Sequence, residues 1–110
     1  MINSQKLENV MLDLGHPENL SGTKYLREGV ELYDAGYTRM TKEVYPALAK
    51  AAGTTAAGVE RSMRLSIASA WNRGDPDSIR QYFGNTIDPE RGAPTVGEYL
   101  ARMARICHEN

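Results

Sequence analysis

The chain has 110 residues, of which 41% are hydrophobic and 25% are charged, and its formal net charge is −1. These values are typical of a globular domain with a modest core, and they exclude a mainly disordered chain. The single cysteine excludes an internal disulfide and a cysteine-based zinc site.

The first third of the chain shows two runs of apolar residues at the spacing of one helix face. The first run ends at Gly15, with Ser4 as its expected N-cap. The second begins near residues 21–23 and ends near Gly36. Their apolar positions are Leu7, Val10, Met11 and Leu14 in the first run, and Leu26, Val30 and Tyr33 in the second.

A third helix is expected over the sequence TKEVYPALAKAAG, with Thr41 as its cap. Pro46 complicates this helix, because proline keeps every intrahelical hydrogen bond only in a first turn. Two alternatives stay open: the helix begins late, near Tyr45, or it bends at the proline.

Gly53 ends this third segment, and Thr55 caps a long fourth helix that continues to Gly74. Ala49 lies four residues before Gly53, and Val59 lies six residues after it. A small residue, a turn glycine and an aliphatic residue at this spacing resemble the general helix-turn-helix pattern of DNA-binding proteins. The signal is moderate, because alanine-rich helix pairs around a glycine are common.

The last third restarts at Asp75 and Pro76, which suit the N-cap and the first position of a short helix ending at Gly84. Residues 85–94 read as a loop, and Thr95 with Glu98 has the capping-box spacing that opens a last helix. No segment alternates with a period of two. We therefore predict an all-α fold, a single domain of about six helices over residues 1–110 that contains a helix-turn-helix of the winged-helix-like type.

The outer face of the fourth helix carries the chemistry. Residues 41–73 hold five Lys or Arg and two Asp or Glu, a local excess of three positive charges. Arg61 and Arg64 lie opposite the apolar stripe, and arginine is well shaped to bind guanine O6 and N7. Glu60 could accept from cytosine N4 or hold Arg64 in position. Thr54 and Thr55 could bond phosphate at the helix start. The alternative is a solvated arginine face on an ordinary helix.

Several stretches resemble one known family: TKYLREGVELY, TKEVYPALAK, TTAAGVERSMR, AWNRGD and PTVGEYLARMA, together with Phe83–Gly84. The chain is similar to the C-terminal DNA-binding effector domain of the master sporulation response regulator of endospore-forming Firmicutes. The similarity runs from about Leu7 to Met103. It implies a six-helix fold with a central helix-turn-helix, sequence-specific binding to double-stranded promoter DNA, and self-association as tandem copies on that DNA.

The resemblance assigns base reading to Glu60, Arg61 and Arg64, and it marks Arg91 as a weaker phosphate contact. Lys42 and Lys50 are further phosphate candidates on charge alone. Gly58 stands where the family usually has a basic residue, which removes a possible base contact and puts the family's target sequence in doubt for this chain.

We expect the turn near residues 53–55, the recognition helix over about 55–73, and no receiver domain. Asp13 and Asp34 lie in helical patterns, so neither is expected to accept a phosphoryl group. The alternative function is a receiver-less interaction module that pairs with a full-length regulator without binding DNA tightly. RNA polymerase is a further possible partner.

Other residues give no sign of an enzyme, a metal site or a cofactor site. His16 and His108 are expected at the surface, at a cap or near a frayed end, rather than in catalysis. Trp71 is expected in the core or at an interface. No apolar run approaches the roughly 20 residues of a membrane span, and no signal peptide is evident, so we expect a cytoplasmic protein without a membrane partner.

Overall fold

The computed structural model describes residues 1–84 and 92–109. Within these ranges the chain forms no strand, only an isolated bridge between Ile2 and His108, which confirms the all-α prediction and shows no wing. None of the described helices combines the length and the apolar character that crossing a bilayer requires. The helices in chain order are α1 (Ser4–Leu14), α2 (Ser21–Asp34), α3 (Tyr45–Ala52), α4 (Ala56–Arg73), α5 (Pro76–Phe83) and α6 (Val96–Cys107).

Three helices end on a glycine in the left-handed conformation, as the sequence predicts. The φ angles are 85° at Gly15, 109° at Gly36 and 70° at Gly53. After each glycine the next amide donates back into the helix, from His16 to Met11, from Tyr37 to Leu32 and from Thr54 to Ala49. This pattern satisfies carbonyl groups that the helix end would otherwise leave without a partner, and it turns the chain sharply.

The helix starts also follow local signals, although two of the predicted caps differ. Thr55 and Asp75 cap α4 and α5, and Thr95 forms the predicted capping box with Glu98 at the start of α6. The cap of α1 is Asn3 rather than Ser4, because the Asn3 side chain accepts from the amide of Lys6 at 3.0 Å.

The segment around Pro46 combines features of both sequence alternatives. Regular α-helix begins at Tyr45, with the proline in its first turn. A π-helical turn over Met40–Val44 leads directly into it. Thr41 is therefore not the cap: Arg39 holds that position, and its amide donates to the Glu43 carboxylate at 3.1 Å.

The second helix, α2, lies at the centre and packs against both α4 and α6. Gly22 allows the closest approach, because a Cβ at this residue would lie 1.8 Å from the carbonyl oxygen of Ser62 in α4. The third helix packs on α4, and α1 packs on α6 and α5. Fully buried side chains between these helices form one core that includes Leu26, Val30, Phe83, Tyr99, Leu100 and Met103.

Trp71 belongs to this core, as expected. It is half-buried near the end of α4 and packs edge-on against Phe83, with ring centroids 5.0 Å apart, and against Tyr99 at 6.3 Å. The tryptophan therefore joins the end of α4 to α5 and α6.

The prediction that His16 lies at the surface is wrong, since the residue is 5% exposed. The turn at Gly15 directs its ring inward, where Nδ1 lies 2.9 Å from the Ser66 hydroxyl and Nε2 lies 2.7 Å from the Tyr99 hydroxyl. Ser66 in turn lies 2.8 Å from the Thr23 hydroxyl, which donates to the carbonyl of Pro17 at 2.6 Å. These contacts tie α2, α4 and α6 together.

The proton of every group in this chain of hydrogen bonds can be assigned. Thr23 uses its proton on the Pro17 carbonyl, so Ser66 donates to Thr23 and must accept from His16 Nδ1–H. Nε2 is then the acceptor for the Tyr99 hydroxyl, and the imidazole is neutral. Burial lowers the pKa of His16 to about 4, which the hydrogen bond with Ser66 only partly opposes. The histidine therefore has a structural role here.

The two ends of the described chain meet on one side of the fold. The amide of Asn3 donates to the Cys107 carbonyl at 2.8 Å, and the amide of Glu109 donates to the Met1 carbonyl at 2.7 Å. His108 is exposed, as expected, but the expected fraying is wrong: its Nδ1 lies 2.8 Å from an Asp34 carboxylate oxygen, which holds this end of the chain in place. Asp13 and Asp34 both lie in helices, as the sequence indicates.

Candidate nucleic-acid interface

The third and fourth helices form a helix pair around a three-residue turn. Ala49 of α3 and Val59 of α4 are both buried where the two helices meet, at 6% and 0% exposure. The turn holds Gly53 in the left-handed conformation, and Thr55 then starts α4 by accepting from the Gly58 amide at 3.0 Å. The small side chain, the glycine and the aliphatic residue thus occupy the places that a helix-turn-helix requires.

The fourth helix has two faces with different environments. Its inner face is buried against α2, α3 and α6 and consists of Val59, Met63, Ser66, Ile67 and Ala70. Its outer face, which we define by side chains opposite that stripe, consists of Ala57, Arg61, Arg64, Leu65 and Ala68, of which the first four are exposed. A helix presented in this way can enter the major groove of DNA, which is wide enough to admit it.

Arg64 is held by Glu60, one turn earlier in α4. The Arg64 Nε–H donates to one Glu60 carboxylate oxygen at 3.0 Å, and Nη2–H donates to the other at 3.3 Å. This hydrogen bond with Glu60 raises the pKa of Arg64 above its ordinary value. This contact is one of the two interactions that the sequence leaves open for Glu60.

The Glu60 carboxylate occupies only one edge of the guanidinium group. Arginine has five N–H donors in a rigid plane, and the contact uses Nε–H and one hydrogen of Nη2. The parallel hydrogens at the far end, one on Nη1 and one on Nη2, remain available. That end is the fork that matches guanine O6 and N7. Glu60 therefore orients Arg64 and leaves this end of the guanidinium group open.

Arg61 lies one turn before Leu65 on the outer face and is exposed. In the part of the chain that the structure describes, its guanidinium has neither a carboxylate nor a hydroxyl partner. Its five donors point into solvent, so Arg61 is free to approach an anion or a base edge.

Tyr45 is a neighbour of this arginine site that the sequence did not reveal. It begins α3 and is half-buried. Burial raises the pKa of Tyr45, the nearby Glu60 carboxylate raises it further, and the Arg64 guanidinium acts in the opposite direction. The phenol thus lies within electrostatic range of the Glu60–Arg64 pair, and its hydroxyl is a donor of the kind that proteins use on phosphate. No motif signalled this position, because the proximity depends on how α3 packs against α4.

The predicted backbone-contacting residues lie on exposed parts of the helix pair. Thr54 and Thr55 are exposed in the turn, and the Thr55 hydroxyl keeps its own proton for donation because its oxygen only accepts at the cap. Lys42 is exposed in the π-helical turn before α3, and Lys50 is exposed in the last turn of α3. The predicted contact at Arg91 lies outside the described residues.

Gly58 lies in the first turn of α4, between the turn and the arginines. It has no side chain with which to contact a partner of the outer face. A Cβ there would lie 3.0 Å from the Thr55 hydroxyl oxygen, so a larger residue would require the cap to shift slightly.

Across residues 1–84 and 92–109, no group of three or more His, Cys, Asp or Glu side chains is placed to bind a metal ion. Cys107 is buried, and burial raises the pKa of its thiol.

One protein-family model matches this chain. It is described as the C-terminal domain of the sporulation initiation factor Spo0A, and the match covers residues 7–106 of 110. The matched range begins within α1 and ends within α6, so it includes the helix pair and both faces of α4.

Proposed function

Because the chain belongs to the Spo0A C-terminal family, the DNA-binding effector domain of a sporulation regulator, we propose that it is a sequence-specific DNA-binding transcription regulator. In this proposal the N-terminal half of α4 enters the major groove, and α3 lies across the phosphate backbone. Such a role would place the protein with the chromosome in the cytoplasm.

The observation that carries the proposal is the geometry of the two arginines on the outer face of α4. Arg61 is free of partners among the described residues, and Arg64 is oriented by Glu60 with its guanine-binding end open. A preoriented arginine loses less side-chain freedom when it binds, which favours specific contact. In this proposal Arg61 and Arg64 bind guanine, and Glu60 positions Arg64.

Four residues would hold the helix pair on the duplex through phosphate. Thr54 and Thr55 contact the backbone at the turn, and Lys42 and Lys50 contact it from α3 and the π-helical turn before it. Such contacts fix orientation without reading sequence, and each neutralised phosphate steepens the salt dependence of binding. Arg91 is a further proposed backbone contact.

A second candidate function follows from Gly58. With no basic side chain at this point of α4, DNA binding could be too weak to act alone. The chain would then pair with a full-length regulator and modulate it. Self-association as tandem copies on DNA, and contact with RNA polymerase, are further proposed partnerships of the DNA-bound form.

The test begins with selection of bound sites from random duplex DNA, followed by affinity measurements on the selected site and on a scrambled duplex. Replacing Arg61 or Arg64 with alanine should cost about 1–3 kcal/mol on the selected site and relax the preference at one base pair. Replacing Lys42 or Lys50 with alanine should weaken binding to both duplexes alike and reduce the salt slope by about 1.

Two results would contradict the proposal. If no sequence is enriched, while a full-length regulator is captured in a pull-down, the second candidate function would replace it. If the Arg61→Ala and Arg64→Ala variants lose equal affinity for selected and scrambled duplexes, the arginines would be phosphate contacts rather than base contacts.

A further inference from the structure

Leu65 is an apolar residue in the middle of a polar, cationic surface. Its side chain is 52% exposed, although leucine is an ordinary core residue, and it is not part of the hydrophobic core of the described chain. It lies one turn after Arg61 and directly beside Arg64 in sequence. Single exposed leucines occur on many surfaces, so its position on α4 carries the argument, and its exposure alone does not.

The position of Leu65 follows from helix geometry. At roughly 100° and 1.5 Å per residue, Leu65 is about 40° around the helix from Arg61 and about 6 Å further along. Arg64 lies on the other side of Arg61, about 60° away, at nearly the same height as Leu65. If the arginines reach a base, Leu65 therefore lies on the side of α4 that faces a neighbouring base pair.

The thymine C5-methyl group is the apolar feature that a base pair displays in the major groove. An apolar side chain recognises it by excluding water from the methyl, whereas cytosine and the purines present polar groups there. Ala68, about one turn after Leu65, is too small to block its approach.

We propose that Leu65 is a specificity-determining residue that contacts the methyl group of a thymine next to a guanine bound by Arg61 or Arg64. This inference rests on the proposed function, and it adds the class of base pair that the outer face of α4 selects. The preferred site would thus contain a thymine close to guanine, read by one apolar and two cationic side chains on a single helix face.

The experiment replaces each thymine of the selected duplex, one at a time, with deoxyuridine, which lacks only the methyl group. We expect one or two replacements to weaken binding of the unmodified protein about fourfold, the fold-change that corresponds to roughly 0.8 kcal/mol for one buried carbon group. The Leu65→Ala variant should bind the thymine duplex less well and should not respond to the same replacements.

Leu12→Ala is the matched control, because Leu12 is a similarly exposed leucine, at 56%, on α1 rather than α4. This variant should keep the full response to deoxyuridine. Circular dichroism establishes that both variants fold, which is expected since both leucines are exposed.

The outcomes separate this inference from the proposed function. Specific binding with no penalty for any deoxyuridine, or a penalty that persists unchanged in Leu65→Ala, would overturn the assignment of Leu65 and leave the proposed function intact. Absence of any sequence-specific binding would overturn the proposed function together with the inference.

Discussion

The contact of Gly22 with the backbone of α4 makes a strong prediction about stability. A Cβ at residue 22 would lie 1.8 Å from the carbonyl oxygen of Ser62 and 2.5 Å from its carbonyl carbon. Both atoms belong to the backbone of α4, so no side-chain rotation can relieve the clash. In Gly22→Ala, α2 and α4 must therefore separate locally by about 1 Å or more.

The size of the effect follows from two opposing contributions. Overpacking a well-filled interface costs about 1–3 kcal/mol, and a clash between two backbones belongs at the upper end. The better helix propensity of alanine returns at most about 1 kcal/mol. We expect the free energy of unfolding to fall by about 2 kcal/mol, which for a domain of this size lowers Tm by about 8–12 °C.

Thermal unfolding followed by circular dichroism at 222 nm, together with urea denaturation, measures this change. Gly97→Ala is the control, because a Cβ at that helical glycine would meet only the Met40 side chain, at an ordinary 3.6 Å. The control should be neutral or slightly stabilised. A Gly22→Ala protein as stable as the control would refute the close approach of α2 to α4.

Three further predictions concern charge. The His16 pKa falls from 6.5 to about 4 on folding, so between these pH values the unfolded chain binds a proton that the folded chain does not. The free energy of unfolding should therefore decrease as pH falls through this window, by up to about 3 kcal/mol. In urea titrations, His16→Gln should show a flatter pH dependence of stability than the parent protein. Glu60→Ala releases Arg64, so fluorescence anisotropy should show a smaller ratio of selected to scrambled affinity, and an unchanged ratio would argue against positioning by Glu60. Gly58→Lys adds a cation in the first turn of α4 and should tighten binding to all duplexes, with a salt slope steeper by about 1; an unchanged slope would place residue 58 away from phosphate.

The sequence predicted the helices well, because their ends depend on nearby residues. Gly15, Gly36 and Gly53 each close a helix through bonds to the preceding turn, and Thr95 with Glu98 opens one through a bond three residues away. Each such signal involves residues only a few positions apart, so it can be recognised directly in the sequence. The π-helical turn before Pro46 could not be predicted. The proline indicates the first turn of a helix, but it gives no signal for the hydrogen-bond pattern of the turn before it.

Features that depend on residues far apart in the chain could not be predicted from the sequence. The burial of His16 requires partners 50 and 83 residues away in the chain, and a histidine before a proline looks the same whether it faces water or the core. The proximity of Tyr45 to the Glu60–Arg64 pair depends likewise on the packing of α3 and α4. By contrast, the Glu60–Arg64 contact was one of two stated alternatives, since residues four apart on a helix are neighbours.

One face of α4 packs against the rest of the domain, and the other is exposed. This separation affects how related regulators can diverge in sequence. Contacts that hold α4 in place, such as Ser62 against Gly22 and Ser66 against Thr23, lie on its protein-facing sides. Four of the side chains facing outward, Ala57, Arg61, Arg64 and Leu65, are exposed, and the ion pair of Arg64 is with Glu60 of the same helix. Substitutions at residues 57, 61, 64 and 65 can therefore accumulate at little cost to folding. Under the proposed function, descendants of one ancestral scaffold can acquire new operator preferences without first acquiring a new architecture.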